Sequence, residues 1–427
     1  MVARSSISQD ILVSVLTSER RTRAARSFVT RRVPLGSMQT LLSGGLRPRS
    51  GDVVLARVSK IGFHRRIEHS NGRRGLLHIG DELILAYADR YATDQFESYV
   101  PANLGRTHMV ASGGIASRVK TRSTAVRAAT EIVPIGLVGD VRGRPINVHD
   151  FGLPHLDPTL VSKPRTVAVF GTAMNAGKTT TIHHLLHGFA KAGARPGAAK
   201  VTGTGSGNDY WVMADAGAHA MLDFTDVGLA SSFNHRIDRL EDAAEQLVAH
   251  LTLDGCGVIF LEIADGVFQQ ENQRLIRSHR LRNLVDTVVF AASDAIGAVY
   301  GVQTLKKWGF SVAAVSGALT RSPLAVKEAQ EALGLPVLGL TEMEDPQFTA
   351  PILGVDPALL VAPSPEQDAW QIVVPGLVGA DGLVHGQADA GEEVVPSLTP
   401  PDAGLPVPAF GATTQFGGSF DAILQGA

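Results

Sequence analysis

Residues 167–181 read Val167-Ala168-Val169-Phe170-Gly171-Thr172-Ala173-Met174-Asn175-Ala176-Gly177-Lys178-Thr179-Thr180-Thr181. Four apolar residues, a loop opened by glycine, and Gly-Lys-Thr leading into a helical stretch spell strand, turn and helix in that order. A loop of this kind turns its backbone N–H groups and the helix N-terminus toward phosphate. Its lysine reaches the β and γ oxygens, and its threonine hydroxyl ligates Mg²⁺. The usual spacing wants the first glycine at position 172, where this chain has Thr172, and the glycine stands one place earlier, at Gly171. The flanking strand and helix carry the reading through that variation. Gly171, Thr172, Asn175, Ala176, Gly177, Lys178, Thr179 and Thr180 are the expected nucleotide-binding set, with Thr179 on the metal.

Downstream of this loop the chain alternates apolar strands with helices: Ala198–Val201, Leu240–Leu251, Val258–Leu261, Thr287–Ala291, Ala298–Trp308, Val312–Val315, Leu324–Leu333 and Val337–Leu340. That alternation predicts βαβ units and a parallel sheet with helices on both faces. An acid at the carboxyl end of such a strand points into the ligand crevice. Glu262 ends the run Val258–Leu261, so it is expected at Mg²⁺ or at the attacking group; Asp265, three residues on, reads better as a helix cap. The stretch Lys200–Asp209 follows the second strand and carries three glycines between a lysine and an acid. Lys200 is expected to offset charge on a transferred phosphoryl group, and Asp209 to complete the metal shell. Lys178, Lys200 and Glu262 are the expected catalytic residues; Thr179, Asp209 and Glu262 are the expected metal set. Asp223–Gly228 is expected to line the substrate side of the crevice.

Ahead of the loop, Val53–Val58, Ile67–His69 and Gly75–Ile79 are short β-type runs, and Asn71-Gly72 between the last two signals a hairpin. Lys60, Arg65, Arg66, Arg73 and Arg74 flank it, a basic cluster with Phe63 as its only nearby aromatic. The first 32 residues are arginine-rich and read as a frayed helix or tail. The sequence thus predicts a basic N-terminal segment over 1–50, a β-rich domain over 51–150, a P-loop NTPase domain of α/β class over 166–345, a C-terminal extension over 346–389, and a disordered Pro/Gly-rich tail over 390–427.

The chain has 427 residues, 44% hydrophobic and 19% charged, which excludes a wholly disordered or fibrous polymer. Its net charge of −2 is uneven: residues 1–150 carry 23 Lys and Arg against 12 Asp and Glu, and the last hundred carry 14 acids and no Lys or Arg. A basic front suits an anionic partner. The apolar runs are too short to span a membrane. The single cysteine, Cys256, excludes an intramolecular disulfide and fits a reducing, cytoplasmic setting. Cys256 reads as a buried thiol without a base partner, and His183 with His187 have metal-pair spacing but no HExxH.

Gly171-Thr172 with Gly177-Lys178-Thr179, Lys200 after the second strand, Asn208-Asp209 opening a helix and Glu262 ending a strand resemble the dethiobiotin synthetase and cobyrinate synthase group of P-loop enzymes. The resemblance covers residues 166–340. It implies that ATP phosphorylates a carboxylate or carbamate, with Lys178 and Lys200 around the transferred group and Thr179, Asp209 and Glu262 around Mg²⁺. The chain departs from that group at Ala173 and Asn175, where dethiobiotin synthetases carry acids. Asp209-Tyr210-Trp211 followed by Asp215-Ala216-Gly217-Ala218 is similar to the molybdopterin-guanine dinucleotide biosynthesis adapter, which implies a GTP-binding accessory protein. The order of β domain, P-loop domain and C-terminal segment is similar to polynucleotide 5′-hydroxyl kinases. The expected ligands are a nucleotide, ATP favoured over GTP, with Mg²⁺ and a small acidic substrate. Nucleic acid is the less favoured partner, no membrane is expected, and a homodimer is a candidate assembly.

Overall fold

The computed structural model describes residues 11–160 and 162–360. The tail expected over 390–427, and the part of the 346–389 extension beyond Leu360, lie outside the described residues. The first sheet is largely antiparallel: β1 (Ile11–Val15), β2 (Ala25–Arg26), β3 (Thr40–Gly44), β4 (Val53–Lys60), β7 (Glu82–Tyr87), β8 (Arg90–Tyr91), β9 (Phe96–Tyr99), β10 (Thr107–Ala111), β11 (Ile115–Arg122) and β12 (Thr130–Gly139). The hairpin β5 (Arg66–Glu68) and β6 (Arg74–Leu76) stands apart, closed at Asn71-Gly72 as expected. Strands β12, β4, β7, β11 and β10 pair in a ring, since β10 bonds both β11 and β12. These five strands therefore close on themselves as a small barrel, with β3 and β1 extending from one side and β9 and β8 from another.

The second sheet is all parallel, in the order β15-β14-β16-β13-β17-β18: β13 (Arg165–Gly171), β14 (Pro196–Lys200), β15 (Ala220–Asp223), β16 (Val258–Glu262), β17 (Thr287–Ala291) and β18 (Val312–Ser316). After α1 (Ser18–Arg23) in the first sheet's entry, the helices here are α2 (Lys178–Lys191), α3 (Gly207–Asp215), α4 (Ile237–Leu253), α5 (Gln270–Arg277), α6 (His279–Leu284), α7 (Ala295–Lys307), α8 (Pro323–Leu333), α9 (Leu340–Met343) and α10 (Pro346–Leu353). The alternation of β13 sorts its side chains between the two faces. Val167 and Val169 share a core with Ile182, Leu185 and Phe189 of α2; Ala168 and Phe170 join Leu240 and Leu247 of α4 and Val302 and Leu305 of α7. The chain is thus of mixed α/β class, with helices on both faces of the parallel sheet. The run Val337–Leu340, expected as a strand, makes a single bridge to Val315 and then enters α9. Pro336 before it brings no N–H to a ladder, and Gly339 after it opens the helix.

The arginine-rich start is no frayed tail from Ile11 onward. Leu16, Ala24, Phe28, Val29 and Val33 are buried, and the arginines between them are matched one by one. Arg20 meets Glu82 at 2.8 Å. Arg31 reaches across to Asp226 at 2.6 Å and Asp223 at 3.4 Å at the end of β15, with Arg32 3.5 Å from Asp226. Burial works against the Arg31 charge, and the two aspartates outweigh it and hold its pKa above the ordinary value. Its guanidinium lies 4.0 Å over the Phe28 ring, which meets Tyr210 of α3 edge-on at 5.8 Å. One apolar core accordingly runs from Val53, Leu55 and Ile84 through Phe28 and Tyr210 to α2. Asp223–Gly228 therefore serves this contact and does not line the substrate crevice as expected.

Replacing Arg31 by Met leaves the buried Asp223 without a counter-charge and Asp226 with Arg32 alone at 3.5 Å. The variant is expected to lose about 3 to 5 kcal/mol of stability, read as a lower urea midpoint, with a larger loss than Arg20→Met at its more exposed pair.

Candidate functional site

The loop Gly171–Lys178 rises from the carboxyl end of β13 and turns into α2 at Gly177, whose φ of 98° begins the helix from the left-handed region. Asn175 is also left-handed, at φ 63°, and its amide donates to Asp94 Oδ2 at 2.8 Å in the loop between β8 and β9. Gly177 is pressed against the turn after β18: a Cβ there would stand 2.9 Å from the Gly317 Cα. The Ala318 N–H donates to the Ala176 carbonyl at 2.9 Å. Gly171 clears the path of the lysine, because an added Cβ would lie 2.9 Å from Lys178 Cγ and 3.0 Å from the Ala291 carbonyl. The displaced first glycine of the motif is thus where the lysine stem crosses the strand. Lys178 folds back over it and donates to the Ala173 carbonyl at 2.8 Å.

Lys178, Lys200 and Glu262 converge because their strands are neighbours. Lys200 and Glu262 are cross-strand partners at the ends of β14 and β16, and Glu262 is level with Val169 of β13. Thr179 Oγ1 lies 3.2 Å from Glu262 Oε1, and Lys200 Nζ ion-pairs with Asp209 in the first turn of α3. All three of Lys178, Lys200 and Glu262 are buried. Burial pushes the Glu262 carboxyl up, and Asp209 adds to the push. Burial also opposes the charge on Lys200, but Asp209 and Glu262 outweigh it and raise its pKa. Burial lowers Lys178, with Lys200 adding to it against Glu262 and Asp265. The cluster is therefore a mixed one, with Lys200 and Asp209 as its firmly charged pair.

These groups line a cavity of about 900 Å³. Of the expected residues, Asn175, Gly177, Lys178, Thr179, Thr180, Lys200, Asp209 and Glu262 border it. Gly171, Thr172 and Ala176 do not border it: the Thr172 N–H donates to the Ala291 carbonyl at 3.0 Å, and the Thr172 hydroxyl is buried without a partner. Asp265 is on the cavity wall, with a left-handed φ of 62°, and does not cap the next helix; the N-cap of α5 is Gln269, which makes no side-chain capping bond. The opposite wall comes from the barrel, through His64, Arg74, Arg90, Gln95 and Ser112. Sequence reading marked Arg74 only as part of a basic cluster and missed the other four, since nothing local marks a residue that a distant sheet delivers. Glu68, buried at the foot of that wall, accepts from the Gly207 N–H at 2.6 Å and Ser206 Oγ at 3.0 Å, so a barrel carboxylate caps α3.

Oxygen donors suit Mg²⁺, and Thr179 and Glu262 offer a hydroxyl and a carboxylate side by side. Asp209 is committed to Lys200. Among the described residues no group of three His, Cys, Asp or Glu side chains is placed to hold a metal. His183 turns to the Val212 carbonyl and His184 to Glu344. Cys256 is buried, and burial pushes its thiol up to about 12. No helix is long and apolar enough to cross a membrane among the described residues.

Behind Asp265, Glu271 is buried with one oxygen unpartnered, and burial raises its carboxyl to about 7, Asp265 adding to the rise. A raised carboxyl pKa means that the unfolded chain releases this proton first, so stability falls as pH climbs from about 4.5 through about 7. Glu271→Gln is expected to raise stability at pH 8 by on the order of 2 kcal/mol, with the gain vanishing below pH 4.5, in urea titrations across that range. Gly171→Ala is expected to displace the Lys178 stem and cost about 1 to 3 kcal/mol of stability, read as a lower urea midpoint.

No protein-family model matches this sequence, and no curated protein does. Among solved structures, the signal recognition particle receptor FtsY from Elizabethkingia anophelis is 15% identical, over 46% of this chain and 68% of its own, with a TM-score of 0.32. Cell division protein FtsY from Thermotoga maritima is 16% identical over 48% and 73%, also at 0.32. A DUF1611 family protein from Anabaena variabilis is 16% identical over 52% and 65%, at 0.34. Likeness of this size carries no functional information.

Proposed function

We propose that this chain binds Mg²⁺-ATP in the Gly171–Thr180 loop and transfers the γ-phosphoryl group to a small acidic acceptor, in a synthetase- or kinase-type reaction. The observation that carries the reading is two buried lysines, Lys178 and Lys200, on one cavity wall with Glu262 between them and bonded to Thr179. Two cations held in a dry wall suit an anionic ligand whose charge shifts during reaction. When bound, Mg²⁺ supplies further neutralisation of phosphate charge.

In this reading the loop amides and Lys178 hold the β and γ phosphates. Lys200, kept protonated by Asp209, faces the oxygens of the group in transit. An acceptor carboxylate oxygen bonds to the γ phosphorus, the bond to the β–γ bridging oxygen breaks, and ADP departs with that oxygen. Lys200 is tied down by Asp209 before any ligand arrives, so its orientation is prepaid and need not be organised at the moment of transfer. In the Asp209-Tyr210-Trp211 segment, Tyr210 packs on Phe28 and Trp211 sits under Gly72 of the hairpin turn.

Thermal melting with ATP or GTP, with and without Mg²⁺, tests the assignment, since a ligand of the native state raises Tm. Wild type is expected to shift with Mg²⁺-ATP and Lys178→Ala to lose the shift; no shift in wild type sinks the reading. Lys200→Ala is expected to keep the shift while ADP formation falls about 100-fold.

A further inference from the structure

Two arginines from the barrel side of the molecule are buried, and they are partnered in opposite ways. Arg31 is matched by Asp223 and Asp226. Arg90 of β8 is 6% exposed and borders the cavity, yet its donors go to neutral oxygens. Nε reaches Thr204 Oγ1 at 3.3 Å, Nη2 reaches Gln95 Oε1 at 2.8 Å, and Nη1 donates to the Val110 carbonyl. Among the described residues no carboxylate stands at ion-pair distance from it; Asp265, elsewhere on the cavity wall, is the acid whose field reaches it. Burial lowers its pKa to about 10, which leaves it charged at neutral pH. Beside it His64 is held neutral, at about 4, by burial and by Arg90 itself, and its Nε2–H donates to Val110 at 2.7 Å. A buried cation with only neutral partners is an uncompensated charge, and proteins keep such a charge where an anion arrives.

Arg90 stands on the barrel wall of the cavity and reaches two loops: Nε holds Thr204, in the loop that begins at Lys200, and Nη2 holds Gln95, the neighbour of Asp94, which accepts from Asn175 of the Gly171–Lys178 loop. Arg74, another cation on the barrel wall, is already tied to Glu68 at 2.8 Å. Arg321 lies in the turn after β18, beside the P-loop. A planar fork with three of its five N–H groups spent on neutral oxygens matches one carboxylate better than a phosphate dianion, which would call for more than one cation.

We infer that Arg90 is the anion-binding residue of the acceptor subsite, taking a carboxylate carried by the acceptor. This rests on reading the cavity as a phosphoryl-transfer site, and it deepens that reading by naming the barrel as the source of substrate recognition.

The test is thermal melting of the full chain with the cradle filled by Mg²⁺-ADP, adding acetate, succinate or inorganic phosphate at matched ionic strength. In wild type, acetate or succinate is expected to raise Tm by about 2 to 4 °C, and Arg90→Gln to abolish that rise while retaining the Mg²⁺-ADP shift. An equal rise in Arg90→Gln, no rise with either carboxylate in wild type, or a rise with phosphate alone overturns the inference. If Arg90→Gln does not fold, Arg90→Lys, which keeps the charge and loses the fork, is expected to show a reduced rise with succinate, and an undiminished one overturns the inference. Absence of any Mg²⁺-ADP shift in wild type is the separate failure of the nucleotide reading, and the carboxylate rise remains readable without it.

Discussion

The buried guanidinium of Arg31, held between Asp223 and Asp226 and stacked over Phe28, couples the barrel to the parallel sheet. Together with the Asn175–Asp94, Arg90–Thr204 and Gly207–Glu68 hydrogen bonds, that contact fixes Arg90, His64 and Gln95 relative to the loop that carries Lys178. The strength of the contact comes from its dryness. A surface ion pair contributes about 0 to 1 kcal/mol, whereas a buried pair is costly to break because the survivor keeps its charge without solvent. Phe28 and Tyr210 exclude the water, so the ion pair and the apolar core reinforce one another.

Charge is also the organising theme within the cavity, where register places it. Parallel strands put Lys200 and Glu262 level with each other on adjacent β14 and β16, and α3 brings Asp209 to Lys200 from outside the sheet. Glu68 of the barrel in turn caps α3 at Gly207. The helix that supplies Asp209 is therefore positioned from both sides, by its own sheet below and by a barrel carboxylate at its N-terminus. Such double support is what a site of fixed dipoles requires, since electrostatic stabilisation comes from groups already oriented.

The basic front of the chain looks, in composition, like a surface for nucleic acid. In three dimensions much of that charge is spent internally: Arg20 on Glu82, Arg31 and Arg32 on the aspartates after β15, Arg74 on Glu68, Lys60 on Glu131. Net charge counts residues without regard to partners, so it overstates the field that an incoming ligand meets.

The strand, loop and helix around Lys178 were legible from residues 167–181 because each depends on near neighbours: a β-branched run, a glycine at the crossing, a helix start. Glu262 and Lys200 were legible as strand ends for the same reason, and so was the hairpin at Asn71-Gly72. Three things were not. The arginine-rich start reads as a tail, because its counter-charges lie up to about 195 positions away. Asp265 reads as a cap, because only the left-handed turn after β16 aims it at the cavity. Arg90 carries no local mark, because its burial is made by Val110 and Thr204, which reach it from other segments, together with Gln95 of its own loop. Periodicity and turn chemistry act over a few residues and are written locally, whereas burial and the pairing of charges are properties of surfaces that meet only once the chain is folded.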